Sequence, residues 1–441
     1  MNETSTLQMK SVYEVVQESD SLAKQVQYSN QTNGKTIVFP HVSLYFRTKQ
    51  QIAQFLGFRS YQYSHNIRGM AVPIDRAELL ASIPTELKNY SQLQLDTLGE
   101  VFYYGSLKKA IYKRYAAIPS LPKKVVDLLK SPDHTQNWAA KDELYAKKLD
   151  TVFMDEATRI QLIVAMTNQS LRYEVDIINP FAPLIRNDGT SWHVLRTYYE
   201  QTRRLYLGDI MNVDETGGKR IALNLPIHKS VLSNNSLVRE IVDYIKNNDH
   251  AAITLKVLVS DGSNDVTALN YDEALNLLGL LKVIGTYSKL KGAPSHLMCD
   301  NTLGLIAILH GFDSFSQPMN LKQLETDGGA DRNAMLKQNP TYDFGRIYSH
   351  DIRKTMLHRN YIGQVQHENQ LPCPARHYCG TLNPRQVAGL TRNPFWEHAR
   401  LHLMEIRNYE LDEVLTAIAN KEVRAFRSRF NYFFNQFLLP A

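Results

Sequence analysis

Arg220-Ile-Ala-Leu-Asn-Leu-Pro-Ile227, followed by a helical stretch over Ser236 to Asn247 and then by Ala252-Ile-Thr-Leu-Lys-Val-Leu-Val259, is the passage that decides the fold. Two short apolar runs flank a segment of helical period, and the second run ends at Ser260-Asp261-Gly262. That is a βα unit feeding a parallel strand. The same alternation extends both ways. Leu149 to Met154, ending at Asp155, and Tyr173 to Asn179, ending at Pro180, read as strands. Ser191 to Leu207, Tyr271 to Ile284 and Leu303 to His310 read as helices. Toward the N-terminus, Thr36 to Tyr45 reads as a strand, Lys49 to Phe55 as a helix stopped by Gly57, and Phe58 to Tyr63 as a second strand.

Polar groups just past several strand ends favour an α/β fold of the closed (β/α)8 TIM-like type over an open doubly wound sheet. No glycine fingerprint for a dinucleotide follows the first strand, which also weighs against the open sheet. Residues 1–34 read as a polar extension and 35–345 as the barrel, carrying a basic, Tyr-rich helical insertion over 66–147. Residues 346–410 read as a small zinc-binding subdomain near the C-terminus, and 411–441 as a C-terminal helix.

The 441 residues are 43% hydrophobic and 21% charged, as in a folded globular protein. Three cysteines argue against a disulfide framework and for a reducing compartment. Met1-Asn2-Glu3-Thr4 lacks the basic and apolar regions of a signal peptide, and no apolar run reaches spanning length, so a cytoplasmic location without membrane contact is expected. The formal charge of +6 permits a polyanionic partner without demanding one. Its distribution says more. Lys108, Lys109, Lys113, Arg114, Lys123 and Lys124 alternate with Tyr103, Tyr104, Tyr112 and Tyr115. Arg196, Arg203 and Arg204 sit among Tyr198, Tyr199 and Tyr206, and Lys421, Arg424, Arg427 and Arg429 precede Tyr432, Phe433 and Phe434. Cations neutralise phosphates and aromatic faces stack on bases; the plainer alternative is solvated helix faces over aromatic core residues.

Two clusters carry chemistry. Cys373-Pro-Ala-Arg-His377-Tyr-Cys379 with His402 offers four zinc ligands, three from one loop and the fourth from a helix; the alternative is two core thiols and two ordinary histidines. Asp155, Asp176, Asp261 and Asp313 fall at or near predicted strand ends, where a barrel places its active site. Two such carboxylates divide the labour of nucleophile and acid–base, whereas helix N-capping is the commoner use of Asp at a βα junction.

The run His296-Leu-Met-Cys-Asp-Asn-Thr-Leu-Gly-Leu-Ile-Ala-Ile-Leu-His-Gly311-Phe-Asp313-Ser-Phe-Ser resembles the tRNA-guanine transglycosylase family at its Gly-x-Asp-x-Phe-Asp motif. Ile52-Ala-Gln-Phe-Leu-Gly-Phe58, Val152-Phe-Met-Asp155 with Arg159-Ile-Gln161, and Cys379 with Asn383-Pro-Arg-Gln and His402 resemble that family in order. The resemblance implies a pentosyltransferase that exchanges guanine in nucleic acid for a 7-deazaguanine such as preQ0, with a structural zinc. It makes Asp313 the nucleophile and Asp155 the group that holds the bases and moves the proton. Counting from Gly311 puts Ser316 in the nucleophile's column, and Asp313 is favoured because a serine has no evident base beside it. Only Cys379 matches the family's zinc cysteines, so Cys373 and His377 are substitutes. The loops that read the base are altered, leaving Asn179 and His228 as substrate-binding candidates. This divergence, with the basic segment, is similar to the branch that inserts 7-deazaguanine into DNA, so DNA is favoured over tRNA. An ATPase or other helper that opens the duplex and a homodimeric assembly are the further partners implied. The competing readings are a catalytically inactive barrel serving as a nucleic-acid-binding subunit, and an unrelated barrel hydrolase.

Overall fold

The computed structural model describes residues 26–32, 34–59, 65–103, 113–130, 149–210, 219–258, 269–298, 303–319, 346–349, 354–357, 386–387 and 389–424. Two strands, β1 (Tyr28–Thr32) and β2 (Lys35–Phe39), form an antiparallel hairpin. Eight parallel strands then close a barrel: β3 (His41–Tyr45), β4 (Ile67–Pro73), β5 (Gln92–Asp96), β6 (Ile177–Ile178), β7 (Arg220–His228), β8 (Ala252–Leu258), β9 (Ser295–Leu297) and β10 (Ser314–Pro318). β10 pairs with both β9 and β3, which completes the ring. Strands β11 (Arg346–Ser349) and β12 (Lys354–Leu357) form a separate antiparallel pair.

The surrounding helices are α1 (Lys49–Arg59), α2 (Lys123–Lys130), α3 (Glu156–Arg172), α4 (Gly189–Ile210), α5 (Asn235–Asn247), α6 (Tyr271–Lys291), α7 (Leu303–Leu309) and α8 (Arg392–Ala419). Their starts are written in the sequence. Asn270 and Glu273 form a reciprocal capping box on α6, and the Asn234 side chain accepts from Leu237 N at the head of α5. None of the helices among the described residues is long and apolar enough to cross a membrane.

The apolar core lies between barrel and helices; the lumen is polar. The bonds that cross it show this directly, because they join strands that are not neighbours. Thr254 Oγ1 on β8 donates to Asn179 Oδ1 just past β6 at 2.8 Å, and Lys256 Nζ on β8 donates to Asp96 Oδ2 on β5 at 2.8 Å. Among the described residues, its N-terminal layer of Ile177, Ala222 and Ala252 forms a small apolar cluster. Gly69 in β4 makes room for two lumen side chains, since a Cβ there would stand 1.9 Å from Ser43 Oγ and 2.8 Å from His41 Nε2.

Five expectations need correction. The strand expected over Thr36 to Tyr45 is two strands broken at Pro40, which has no N–H to give a ladder. The helix from Lys49 runs through Gly57 to Arg59, so Phe58 is helical and the second barrel strand is Ile67–Pro73; an isolated Gly inside a helix costs only about 1 kcal/mol. The stretch 66–147 is not wholly an insertion, because β4 and β5 belong to the barrel. Leu149 to Met154 is helical, with Leu149, Asp150 and Phe153 buried at helical spacing; an apolar run that short fits either period. At the other end, α8 spans 392–419 without a break, so a boundary at 410 falls inside one helix. That helix is locked to the barrel. Arg407 Nε donates to Gln317 Oε1 of β10 at 2.8 Å, Arg407 also pairs with Glu410, and Asn66 N donates to Asn408 Oδ1 at 2.8 Å.

Candidate active site at the C-terminal mouth of the barrel

In a closed barrel the strand C-termini form the functional mouth. Here the mouth holds a buried cluster built from three strands. Asp96 ends β5, Lys256 lies two residues before the end of β8, and Tyr45 ends β3. Asp96 Oδ2 accepts from Lys256 Nζ at 2.8 Å and from Tyr45 Oη at 2.9 Å, while its Oδ1 accepts from Leu98 N at 3.1 Å. All three residues are almost fully buried. Such a pair is expensive to bury, and a well-packed apolar replacement is often as stable or more so, so stability alone does not account for it.

The turn after β5 holds Asp96 in place at some cost. Leu98 has φ 51°, a left-handed backbone conformation that a leucine rarely adopts. Gly99 follows because a Cβ there would stand 2.0 Å from the Ala182 carbonyl oxygen. Thr97 fixes the neighbouring backbone: its Oγ1 donates to Pro180 O at 3.2 Å, its carbonyl accepts from Tyr115 Oη at 2.9 Å, and Asn224 Nδ2 donates to its Oγ1 at 3.3 Å. The Arg47 guanidinium stands over the Tyr45 ring, 5.4 Å from its centroid, just beyond β3.

Of the four carboxylates singled out in the sequence, the three among the described residues do not converge. Asp313 precedes β10 and lies at the N-terminal end, the floor. Its carbonyl accepts from His41 N and its N–H donates to Ser295 O, each at the start of a strand. Its carboxylate accepts from Tyr28 Oη, Ser288 Oγ, Ser295 N and Ser295 Oγ. Asp176 also sits at the floor, accepting from Leu93 N at 2.7 Å and pairing with Lys35 Nζ at 3.0 Å. Tyr28 and Lys35 come from the β1–β2 hairpin, so these two acids pin that hairpin across the floor.

Asp155 is at the opposite end. Phe153, two residues earlier, packs on Phe102 and Phe181, which lie just past the C-termini of β5 and β6. The 17 residues of α3 then carry the chain about 25 Å back to the floor. Asp155 is the N-cap of α3, accepting from Thr158 N, and it pairs with Lys124 at the surface. The Thr158 hydroxyl, donating to it at 2.6 Å, holds its carboxyl down at about 2, with Lys124 and Thr158 N adding to the effect. Asp155 and Asp313 are therefore not partners in one pocket: the former is a helix cap, the latter a floor anchor. Asp261 lies outside the described residues.

Register settles where Ser316 sits. It pairs with Ser43 while Pro318 pairs with Tyr45, so Ser316 is two residues, about 6.6 Å, below the mouth. It does have a base beside it: His296 Nε2 is 2.7 Å from its Oγ, and His296 Nδ1 is 2.8 Å from Ser314 Oγ. Burial and the neighbouring His41 push His296 down to about 3, and burial does the same to His41. Both imidazoles are neutral. His41 Nε2 and Ser43 Oγ are buried without a hydrogen-bond partner, packed against Gly69.

Asn179 is inside the barrel, donating to Leu95 O at 3.0 Å and accepting from Thr254. His228 ends β7 at the mouth and caps the one-turn helix Lys229–Leu232, its Nδ1 2.7 Å from Ser230 Oγ. Of the zinc ligands, His402 projects from α8, buried and stacked on His398 with ring centroids 5.8 Å apart. Cys373, His377 and Cys379 lie outside the described residues, and no group of three metal ligands occurs among the described ones.

The basic and aromatic clusters divide. Tyr103, Tyr115, Tyr198 and Tyr199 are buried, and three of them are bonded to Asp150, Thr97 O and His250 respectively, Tyr198 excepted. Arg114 pairs with Asp75, and Arg196 with Glu200. These tyrosines are core, while Lys113, Lys421 and Arg424 are exposed.

Sequence reasoning missed Asp96, Lys256 and Tyr45. The signals were there: an Asp closing the alternation Gln92-Leu-Gln-Leu, and a lone Lys in an otherwise apolar strand. Compared with known proteins, the chain matches no family model and no curated relative.

Proposed function

We propose that the chain is a base-exchange transglycosylase working at the C-terminal mouth of its barrel, with Asp96 rather than Asp313 as the nucleophile. What supports the reading is one observation: Asp96, Lys256 and Tyr45 meet through a single carboxylate oxygen where a barrel enzyme does its chemistry. The substrate class comes from the resemblance of the Gly311 and Cys379 segments to tRNA-guanine transglycosylases. The carboxylate attacks C1′ of a guanine nucleotide, the bond to guanine breaks, and the base leaves with a proton taken from the Lys256 ammonium, which the incoming base restores as it binds C1′. An incoming 7-deazaguanine such as preQ0 then takes C1′ and frees the carboxylate. The nucleotide reaches the mouth by leaving its stack. DNA is the favoured polymer and tRNA the other. His228, at the rim, and Asn179, beneath it, are the base-facing candidates. Cys373, His377, Cys379 and His402 would hold a zinc ion, whose contribution is to pin the loop that carries them. Duplex opening by an ATPase and dimerisation belong to the same reading, as does a cytoplasmic location.

The test is incubation of the purified protein with labelled preQ0 and, separately, duplex DNA, single-stranded DNA and tRNA. Label should enter one of the three. Absence of label from all three, with nucleic acid still bound, would make the chain a binding subunit instead.

A further inference from the structure

We infer that Lys256 is an amine nucleophile that captures an aldehyde at the mouth as a Schiff base, its ligand being the ring-opened C1′ aldehyde of an abasic nucleotide. The inference rests on the proposed transglycosylase reading for the ligand, and on geometry for the chemistry. Water taking the glycosyl ester in place of a new base leaves a free hemiacetal, which opens to an aldehyde. Lys256 Nζ stands 2.8 Å from the same Asp96 oxygen that Tyr45 Oη touches at 2.9 Å. A lysine in the lumen of an apolar strand is costly to keep charged, since burial favours the free amine that forms imines, and Asp96 beside it is the base that can take the proton.

The steps balance around that oxygen. Asp96 takes one proton from the Lys256 ammonium. The free amine adds to the C1′ carbonyl carbon, forming the N–C bond, and a second proton moves from nitrogen to the new alkoxide to give a carbinolamine. Asp96 returns its proton to that hydroxyl, which leaves as water, and the iminium remains. No oxidant or reductant is consumed. Tyr45 stays hydrogen-bonded to Asp96 and orients it. Arg47, beside the Tyr45 ring, places a cation where the phosphate of the same nucleotide would pass.

The experiment uses the full chain with a single-stranded oligonucleotide bearing one abasic site, in the presence of cyanoborohydride, which reduces an imine to a stable amine. Adducts are mapped by peptide mass spectrometry. The expected result is a cross-link on Lys256. Lys256→Arg, which keeps a cation for Asp96 but cannot form an imine, should lose that cross-link while melting at an unchanged temperature. No adduct in the wild type, or an equal yield in Lys256→Arg, overturns the inference. The labelled preQ0 assay run in parallel separates the two claims. A Lys256 cross-link without incorporation retires the transglycosylase reading and leaves the amine chemistry standing. Incorporation without a Lys256 cross-link does the reverse.

Discussion

The two ends of this barrel each hold a buried aspartate, and they are built for opposite purposes. At the floor, Asp313 is surrounded by hydroxyls and a backbone N–H, and one of those hydroxyls comes from a hairpin laid across the opening. The groups that donate to it are neutral. At the mouth, Asp96 faces a cation and a phenol, on a turn that forces Leu98 into a left-handed conformation. A floor carboxylate bonded this way ties elements together. A mouth carboxylate beside a lysine and a tyrosine has two proton donors within hydrogen-bond reach. The difference teaches that the position of an acid relative to the strand direction says more than its place in a motif.

Substitutions at the two ends should separate cleanly, and the largest effect belongs to the mouth. Asp96→Asn should lower incorporation per folded molecule by roughly 10⁴-fold or more, as expected when a catalytic group is removed. It should also destabilise, since an unpaired Lys256 is left buried; breaking such a pair costs about 3–5 kcal/mol. The double change Asp96→Leu with Lys256→Met removes both charges and should recover most of that stability in urea denaturation while staying inactive.

Next comes the floor. Asp313→Ala should cost about 3 kcal/mol or more, because the buried donors of Tyr28, Ser288 and Ser295 lose their acceptor. The folded fraction should keep its activity. Tyr28→Phe, which removes one of those donors, should cost about 1 kcal/mol.

The pH dependence of stability tests the neutral lumen. His41 and His296 are held down to about 3 in the folded chain, against about 6.5 unfolded. Below pH 6.5 the unfolded state binds the extra protons, so stability is full above that pH and falls as pH drops toward 3. Each histidine contributes a slope of up to about 1.4 kcal/mol per pH unit. Urea midpoints at pH 7.5 and 5.0 should therefore differ more in the wild type than in His41→Gln with His296→Gln. Equal differences would mean that the lumen histidines are already charged. The smallest effect should be that of Asp155→Asn, which keeps a capping side chain and should leave incorporation intact.

How much could be read in advance follows the same division between lumen and exterior. β7, β8 and helices α4 to α7 were legible, because those strands are apolar between their ends apart from Asn224, Thr254 and Lys256, and α5 and α6 carry clear side-chain caps. β4 and β5 were not, since Gln92 and Gln94 face a polar lumen and the apolar side of β5 turns outward. β10 was hidden for a related reason: Ser314, Ser316 and Gln317 look like loop residues, so Asp313 was taken to follow a strand that it in fact precedes. Lys256 escaped notice because a single lysine in an apolar run gives no periodic signal. Its partner lies 160 residues away.

The most direct test is labelled preQ0 incorporation by Asp96→Asn and Asp313→Asn, each normalised to folded protein. The account predicts near-complete loss in the first and wild-type turnover, at reduced stability, in the second. Turnover surviving in Asp96→Asn and vanishing in a fully folded Asp313→Asn would move the chemistry to the floor and contradict it.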